Sequence, residues 1–228
     1  MFSNSRTLSL QKQSVWQKGA NLYWFLALVL CYVCASIIGE YYLLSDTVYY
    51  NTFADRLAYD EIYRMLESQR SMRWAGYILQ PVLLTIKLSL VAFCIMCAVV
   101  WGNLKISFRQ IWSLIIRAEL VLAIGALFAS SYIAIFWEVH SFDDLGGFHN
   151  FSLLAFLPEG VDTSQWYVYP LQLINIFELF YWLALVSGIQ KILKFSWKDS
   201  LKFVAKSYGL GLIIWVLLIT FIKLNFGS

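Results

Sequence analysis

Charged residues are scarce in this chain. They make up 14% of its 228 residues, whereas a soluble domain carries about 25%. Hydrophobic residues make up 60% of the sequence. Because so few charges cannot cover a folded surface that faces water on all sides, the composition excludes an ordinary soluble domain and predicts an integral membrane protein.

Motifs that signal catalysis are also lacking. The sequence contains no metalloprotease motif, no serine–histidine arrangement, no phosphate-binding glycine loop and no nucleotide fingerprint. Its two histidines, His140 and His149, lie beside acidic residues, but their spacing fits no hydrolase motif, so they are weak candidates for a metal site. We therefore expect a protein that is not an enzyme, with no cofactor and no nucleic-acid partner.

Five apolar segments are long enough to cross about 30 Å of hydrocarbon as helices of ~20 residues. They cover residues 21–40, 79–101, 111–137, 168–190 and 207–226. The sequence thus predicts an all-α integral membrane protein whose residues 1–228 form one membrane domain, with the first span acting as an uncleaved signal anchor.

Residues 52–73 lie between the first two spans and carry an apolar stripe at helical spacing. Thr52 and Asp55 are spaced as in a capping box at its start. The pattern predicts an amphipathic helix that lies on the outer face of the membrane or on the other helices, and a partner-binding helix is the alternative.

Charge alternates along the chain and orients the spans. The amino-terminal tail and the connections 102–110 and 191–206 are basic, whereas residues 138–167 hold five acids and no Lys or Arg. Because Lys and Arg concentrate in cytoplasmic loops, the pattern predicts a cytoplasmic amino terminus and an outer carboxyl terminus.

Four ionisable residues fall inside the apolar segments: Lys87, Arg117, Glu119 and Glu178. A carboxylate at the bilayer centre costs roughly 3 kcal/mol on insertion scales, so Glu178 needs a partner, a proton or a function. Helix rise puts Lys87 within one turn of Glu178 in depth, and we expect the two to form a buried pair. A protonated Glu178 and a role in ion or proton transport remain open, whereas Arg117 is expected to snorkel to the headgroups.

Two C-x-x-C pairs, Cys31/Cys34 and Cys94/Cys97, would suggest a metal site in a soluble protein. Here both lie in apolar helices, where each pair occupies one face. We expect these cysteines to act as small packing residues between helices.

Two stretches carry a family resemblance: "WGNLKISFRQIWSLIIRAELVLAIGALF" and "YPLQLINIFELFYWLALVSGIQKILKFSWKDSLKFVAKSYGLGLII". Over about residues 102–225 the chain resembles the Yip-domain family, five-span membrane proteins first known as Ypt/Rab GTPase interactors. Eukaryotic members have a long cytoplasmic amino-terminal region with an Asp-Leu-Tyr-Gly-Pro motif, which this chain lacks. The resemblance therefore implies the bacterial branch and a protein without catalytic residues.

These observations favour a non-enzymatic accessory or scaffold subunit that organises other membrane proteins. Its expected partners are membrane lipids and one or more membrane proteins in a complex. The alternative function is a permease or transporter subunit that uses Glu178 with Lys87 or Glu119. The expected location is a bacterial cytoplasmic (inner) membrane, and a eukaryotic endoplasmic reticulum or Golgi membrane is the alternative.

Overall fold

The computed structural model describes residues 3–43, 45–142, 144, 151–156 and 165–226. Its helices are α1 (Ser3–Ile38), α2 (Asp46–Phe53), α3 (Tyr59–Trp101), α4 (Phe108–Phe136), α5 (Val168–Leu173), α6 (Ile176–Leu193), α7 (Trp197–Val204) and α8 (Leu210–Phe226). A π-helical turn at Gly39–Leu43 extends α1, a second at Ala205–Gly209 joins α7 to α8, and a 3₁₀ turn covers Leu153–Phe156. Within these described ranges there is no β-strand.

Five helices are long and apolar enough to cross a membrane, which confirms that part of the prediction for the described residues. They are Ala20–Tyr42, Tyr59–Trp101, Phe108–Phe136, Ile176–Leu193 and Trp197–Asn225. The last runs through α7, the second π turn and α8. Sequence predicts such elements well, because a helix is the one form of a single apolar segment that satisfies its own backbone in lipid.

Helix α4 forms the centre of the bundle and packs against α1, α3 and α6. The core at these contacts is built from fully buried aliphatic side chains such as Leu88, Ile95, Ile115 and Leu185. Most other large apolar side chains of the bundle are exposed, which suits helices that face lipid or further protein.

Helices α4 and α6 approach closely and run antiparallel. A Cβ atom on Gly125 would lie 2.5 Å from Cγ of Phe177, and one on Gly188 would collide with Leu114. Small residues at such positions let two helix backbones come together in a membrane. The two contacts fix a register in which Glu178 on α6 lies level with Ile124 on α4.

Helix α3 combines the predicted outer helix and the predicted second span. The sequence pattern predicts separate helices over residues 52–73 and 79–101. In the structure one helix begins at Tyr59 and continues to Trp101. At 1.5 Å per residue its 43 residues extend about 64 Å, twice the hydrocarbon thickness, so its first half projects beyond the bundle. Thr52 caps no helix start here, because its Oγ1 donates to the Val48 carbonyl at 2.7 Å and accepts from the Phe142 N–H at 3.0 Å.

This projecting half of α3 holds a second, smaller apolar cluster. Ile62 and Leu66 of α3 pack against Tyr49 and Phe53 of α2 and against Phe142, which follows α4. The cluster is closed by aromatic contacts, with Tyr49 and Phe142 ring centroids 4.9 Å apart. The predicted apolar stripe of residues 52–73 therefore packs against protein through Phe53, Ile62 and Leu66.

The fourth apolar segment, predicted as one span over 168–190, is broken between α5 and α6. Ile174 and Asn175 lie outside helical geometry, and Asn175 begins α6 as its N-cap. The Asn175 side chain accepts a hydrogen bond from the Glu178 N–H at 2.8 Å. Such a cap satisfies a donor that the helix itself leaves open, which stabilises a helix start at this residue.

Residues 151–153, which come after α4 in the chain, hydrogen-bond to the backbone at the break between α5 and α6. The Leu153 N–H donates to the Ile174 carbonyl and the Ile176 N–H donates to the Phe151 carbonyl, each at 3.0 Å. The Phe151 ring also packs 5.7 Å from Phe128 of α4. Broken backbone within an apolar segment is tolerated where protein supplies its hydrogen bonds, and Phe151 and Leu153 supply two of them here.

Candidate functional site

A buried carboxylate joins three helices at the centre of the bundle. The Lys87 ammonium on α3 lies 2.6 Å from Oε1 of Glu119 on α4, and the Tyr32 hydroxyl on α1 donates to the same oxygen at 2.8 Å. Glu119 is fully buried. One carboxylate oxygen thus holds α1, α3 and α4 together through charge-assisted hydrogen bonds.

Glu178 carries a second set of hydrogen bonds. Its Oε1 accepts from the Trp182 indole at 3.0 Å, one helical turn further on, and from the Tyr208 hydroxyl at 2.7 Å. Tyr208 lies in the π turn between α7 and α8, and the wider π geometry occurs frequently at functional sites. The carboxylate also sits in the first turn of α6, where the helix dipole favours negative charge.

The prediction that Lys87 pairs with Glu178 is wrong, because the lysine pairs with Glu119 instead. Depth was predicted from the centre of a straight span over 168–190, but α6 begins only at Ile176. In the antiparallel register Glu178 lies about five residues, or ~7 Å, beyond Glu119 along α4. Trp182 and Tyr208 supply its hydrogen bonds at that level.

The two carboxylates nevertheless belong to one polar cluster, which we define as Tyr32, Lys87, Glu119, Glu178, Tyr181, Trp182 and Tyr208. Tyr181 is fully buried, and its ring centroid lies 5.3 Å from that of Tyr208, which donates to Glu178. Among the residues that the structure describes, Oε2 of Glu119 and the Tyr181 hydroxyl are buried without a hydrogen-bond partner. The cluster therefore contains two buried polar atoms without a hydrogen-bond partner, next to groups whose hydrogen bonds are formed.

Lys87 reaches this cluster from the exposed side of α3, at the lateral surface of the bundle. Its side chain is 46% exposed, whereas that of Glu119 is 0% exposed. The predicted buried pair with Glu178 would have put the lysine in the bundle interior. The exposure is a correction to that expectation, and it puts a charge on a surface of apolar side chains such as Ile86 and Leu90.

Arg117, the fourth predicted intramembrane charge, takes no part in the cluster. It is exposed on α4, two residues before Glu119, on a different face of the helix. Positions i and i+2 point in different directions on a helix, which explains the separation. Its exposure is compatible with the predicted snorkelling to the headgroups.

Sequence reasoning missed the four aromatic members of the polar cluster. Tyr32, Tyr181, Trp182 and Tyr208 are common residue types in this chain and stand in no motif. One local signal was present, because Trp182 follows Glu178 by four residues and so lies on the same helical face. The contributions of Tyr32 and Tyr208 depend on tertiary packing.

The described residues contain no group of three or more His, Cys, Asp or Glu side chains that could hold a metal ion. His140 is exposed and its Nε2 lies 3.6 Å from Glu138. His149 lies outside the described residues. Asp144 accepts hydrogen bonds at 2.8 Å from the backbone N–H of His140 and of Ser141, and these bonds hold the pKa of its carboxyl below the usual value.

The four cysteines are free thiols on apolar helices. Cys94 packs against α8, since a Cβ on Gly211 would lie 2.5 Å from its Sγ. This contact agrees with the expected packing role.

Comparison with known proteins finds no match: no family model, no curated protein and no solved structure matches the chain. The resemblance to the Yip-domain family stays a prediction.

Proposed function

We propose that this chain is a five-span membrane protein that acts, without enzymatic activity, as an accessory or scaffold subunit organising other membrane proteins. The bundle is inserted with its basic connections and amino terminus in the cytoplasm and its carboxyl terminus outside. A bacterial cytoplasmic membrane is the proposed location. The resemblance of residues 102–225 to the Yip-domain family supports the same class of function.

The half-exposed Lys87 is the observation that carries this proposal. Glu119 stands three residues from the middle of the 29-residue α4, so the ion pair lies about 5 Å from the centre of that helix. The ammonium is held there by Glu119 and is not free to reach the headgroups. Charged side chains at such depth almost always face other protein or a water-filled cavity, so an exposed one indicates a surface that another segment covers.

The chemistry of the covering segment follows from the donors of Lys87. An ammonium has three N–H donors, and Glu119 is the one acceptor within the described residues that bonds to it. The remaining donors favour a transmembrane segment that offers a carbonyl, hydroxyl or carboxylate oxygen at this depth. The exposed Ile86 and Leu90 beside Lys87 provide the apolar contact.

Site-specific photocrosslinking tests the proposal. A photoreactive side chain at Ile86, 50% exposed, should give one discrete protein adduct in native membranes, whose mass identifies a second copy or another protein. The matched control is Leu217 on α8, 64% exposed, where we expect lipid adducts. Lipid adducts alone from Ile86 and Leu90 would contradict a covering protein.

A permease or transporter subunit is the second candidate, favoured by the broken fourth span and by the unsatisfied groups beside it. Discontinuous helices often build the ion sites of transporters. Glu119 Oε2 and the Tyr181 hydroxyl offer a buried acceptor and donor near Glu178. In proteoliposomes, Glu178→Gln should then abolish a proton- or cation-coupled flux, whereas the absence of flux in the wild type for every cation tested would remove this candidate.

The orientation has its own test. In a variant without native cysteines, a cysteine at Lys105 or Lys198 should be labelled only from the cytoplasmic side, and one at Ser68 only from outside. Labelling of position 198 from outside would overturn the orientation.

A further inference from the structure

The basic end of the bundle is defined here as Lys105, Lys191, Lys194, Lys198 and Lys202. Lys105 lies in the connection between α3 and α4. Lys191 lies in the last turn of α6, Lys194 directly follows that helix, and Lys198 and Lys202 lie in α7. Contact of Leu114 with Gly188 brings the start of α4 to the end of α6, so both connections lie at one end of the bundle. All five lysines are exposed.

These ammonium groups have no carboxylate within 4.0 Å among the residues that the structure describes. Asp199 is the one acid between residues 191 and 206. Its Oδ2 accepts a hydrogen bond from Ser196 Oγ at 2.6 Å, and Ser196 in turn caps α7. Asp199 therefore hydrogen-bonds at the start of α7. The lysines around it remain available to bind an external anion.

Helix α7 presents part of this charge on a defined face. Its buried residues are Ser200 and Val204, one turn apart. Lys198 and Lys202, also one turn apart, point away from that buried face and are exposed. Trp197 is 48% exposed at the helix start, and tryptophan is enriched at membrane interfaces.

Length puts this face at the membrane surface. The helix Trp197–Asn225 has 29 residues and so spans about 43 Å, close to the thickness of a bilayer with its headgroups. If the chain is inserted as proposed, the first turns of this helix lie among the headgroups. Clusters of four or more Lys or Arg next to a span attract anionic lipids.

We propose that the basic end of the bundle binds the phosphate headgroups of anionic membrane lipids. Lys198 and Lys202 form the centre of the site, Lys191, Lys194 and Lys105 form its rim, and Trp197 anchors α7 in the interface. The attraction adds about fivefold to lipid association for each lysine near the surface and is weakened by salt. This site lies at the end of the bundle, separate from the polar cluster and from any partner at Lys87.

Spin-labelled lipids measure this association directly. The full-length protein is reconstituted in phosphatidylcholine vesicles with either spin-labelled phosphatidylglycerol or spin-labelled phosphatidylcholine, and the immobilised fraction of each is compared. We expect a preference for phosphatidylglycerol that falls at high salt. It should fall several-fold in Lys198→Gln/Lys202→Gln and return in Lys198→Arg/Lys202→Arg.

The matched control is Arg56→Gln/Arg64→Gln, which removes two exposed charges from the opposite end of the bundle and should leave the preference unchanged. The thermal unfolding temperature of each variant checks that the fold is kept. Equal immobilisation of the two lipids by the wild type would overturn the proposal. So would an equal loss in the control variant, or a preference that inorganic phosphate removes at constant ionic strength.

Discussion

Lys87 Nζ lies 2.6 Å from Oε1 of Glu119, so that a half-exposed base is held by a fully buried acid. Removing one member of a fully buried pair costs about 3–5 kcal/mol, and the half exposure of Lys87 lowers the cost here. Lys87→Met and Glu119→Gln should each lower the thermal unfolding temperature of the purified protein. The double variant should recover much of the loss, because it leaves no unpaired charge at this site.

A second double-mutant cycle, which combines Lys87→Met with Glu178→Gln, is the control for this pair. Lys87 and Glu178 share no contact within 4.0 Å, so their coupling should be smaller than that between Lys87 and Glu119. A larger coupling with Glu178 would contradict the pairing described here.

The two buried tyrosines of α6 and the second π turn should respond differently to loss of the hydroxyl. Tyr208→Phe removes the 2.7 Å hydrogen bond to Glu178, and a bond to a charged group contributes about 1.5–3 kcal/mol. Tyr181→Phe should leave the free energy of unfolding nearly unchanged or raise it slightly, since its hydroxyl has no partner among the described residues. Denaturant unfolding measures both variants, and equal losses would contradict the assignment.

Close packing of α4 on α6 predicts a large effect at Gly125. Its substitution by alanine brings Cβ within 3.0 Å of Phe177 Cβ, an atom next to the backbone, so the helices must separate. Overpacking of this kind costs about 1–3 kcal/mol. Gly76→Ala is the control, because nothing lies within 4 Å of that Cβ and alanine favours a helix over glycine by about 1 kcal/mol. The thermal unfolding temperature should be lower than that of the wild type for Gly125→Ala and higher for Gly76→Ala.

The hydrogen bonds that Asp144 accepts from residues 140 and 141 predict a pH dependence. The folded pKa of Asp144 is lowered by backbone hydrogen bonds from His140 and Ser141, while an unfolded aspartate titrates near 3.9. A lowered folded pKa means that the stabilisation is complete above the unfolded value and is lost as pH falls through the folded one.

Carbon NMR of the Asp144 carboxyl should therefore report a titration below the usual aspartate value. In Asp144→Asn the His140 and Ser141 amides should exchange faster with solvent at neutral pH. A titration at or above the usual value would show that these hydrogen bonds are not formed in solution.

The sequence predicted what depends on composition along the chain and missed what depends on contacts between distant residues. Five apolar helices followed from runs of ~20 residues, and Lys87, Glu119 and Glu178 were identified because charge is costly in lipid. The break at Asn175 was hidden inside an apolar run. It is stabilised by one hydrogen bond that Leu153 donates and one that Phe151 accepts, and no local pattern links these residues to the break.

Partner choice within the polar cluster shows the same limit. Depth along straight helices put Lys87 within one turn of Glu178, but α6 begins at Ile176 and not at residue 168, and the lysine pairs with Glu119. The π turn that brings Tyr208 to Glu178 has no sequence signature comparable to a helix cap. Sequence therefore predicted the charged members of the cluster and missed its aromatic ones.

Photocrosslinking from Ile86 in the Lys87→Met/Glu119→Gln background tests the central claim most directly. Thermal unfolding in the same preparation checks that this double variant keeps its fold. The account predicts that the protein adduct seen from Ile86 in the wild type is lost, because the donors that recognise the covering segment are gone. An adduct of unchanged mass and yield in the double variant would contradict the claim that Lys87 marks a protein-covered surface.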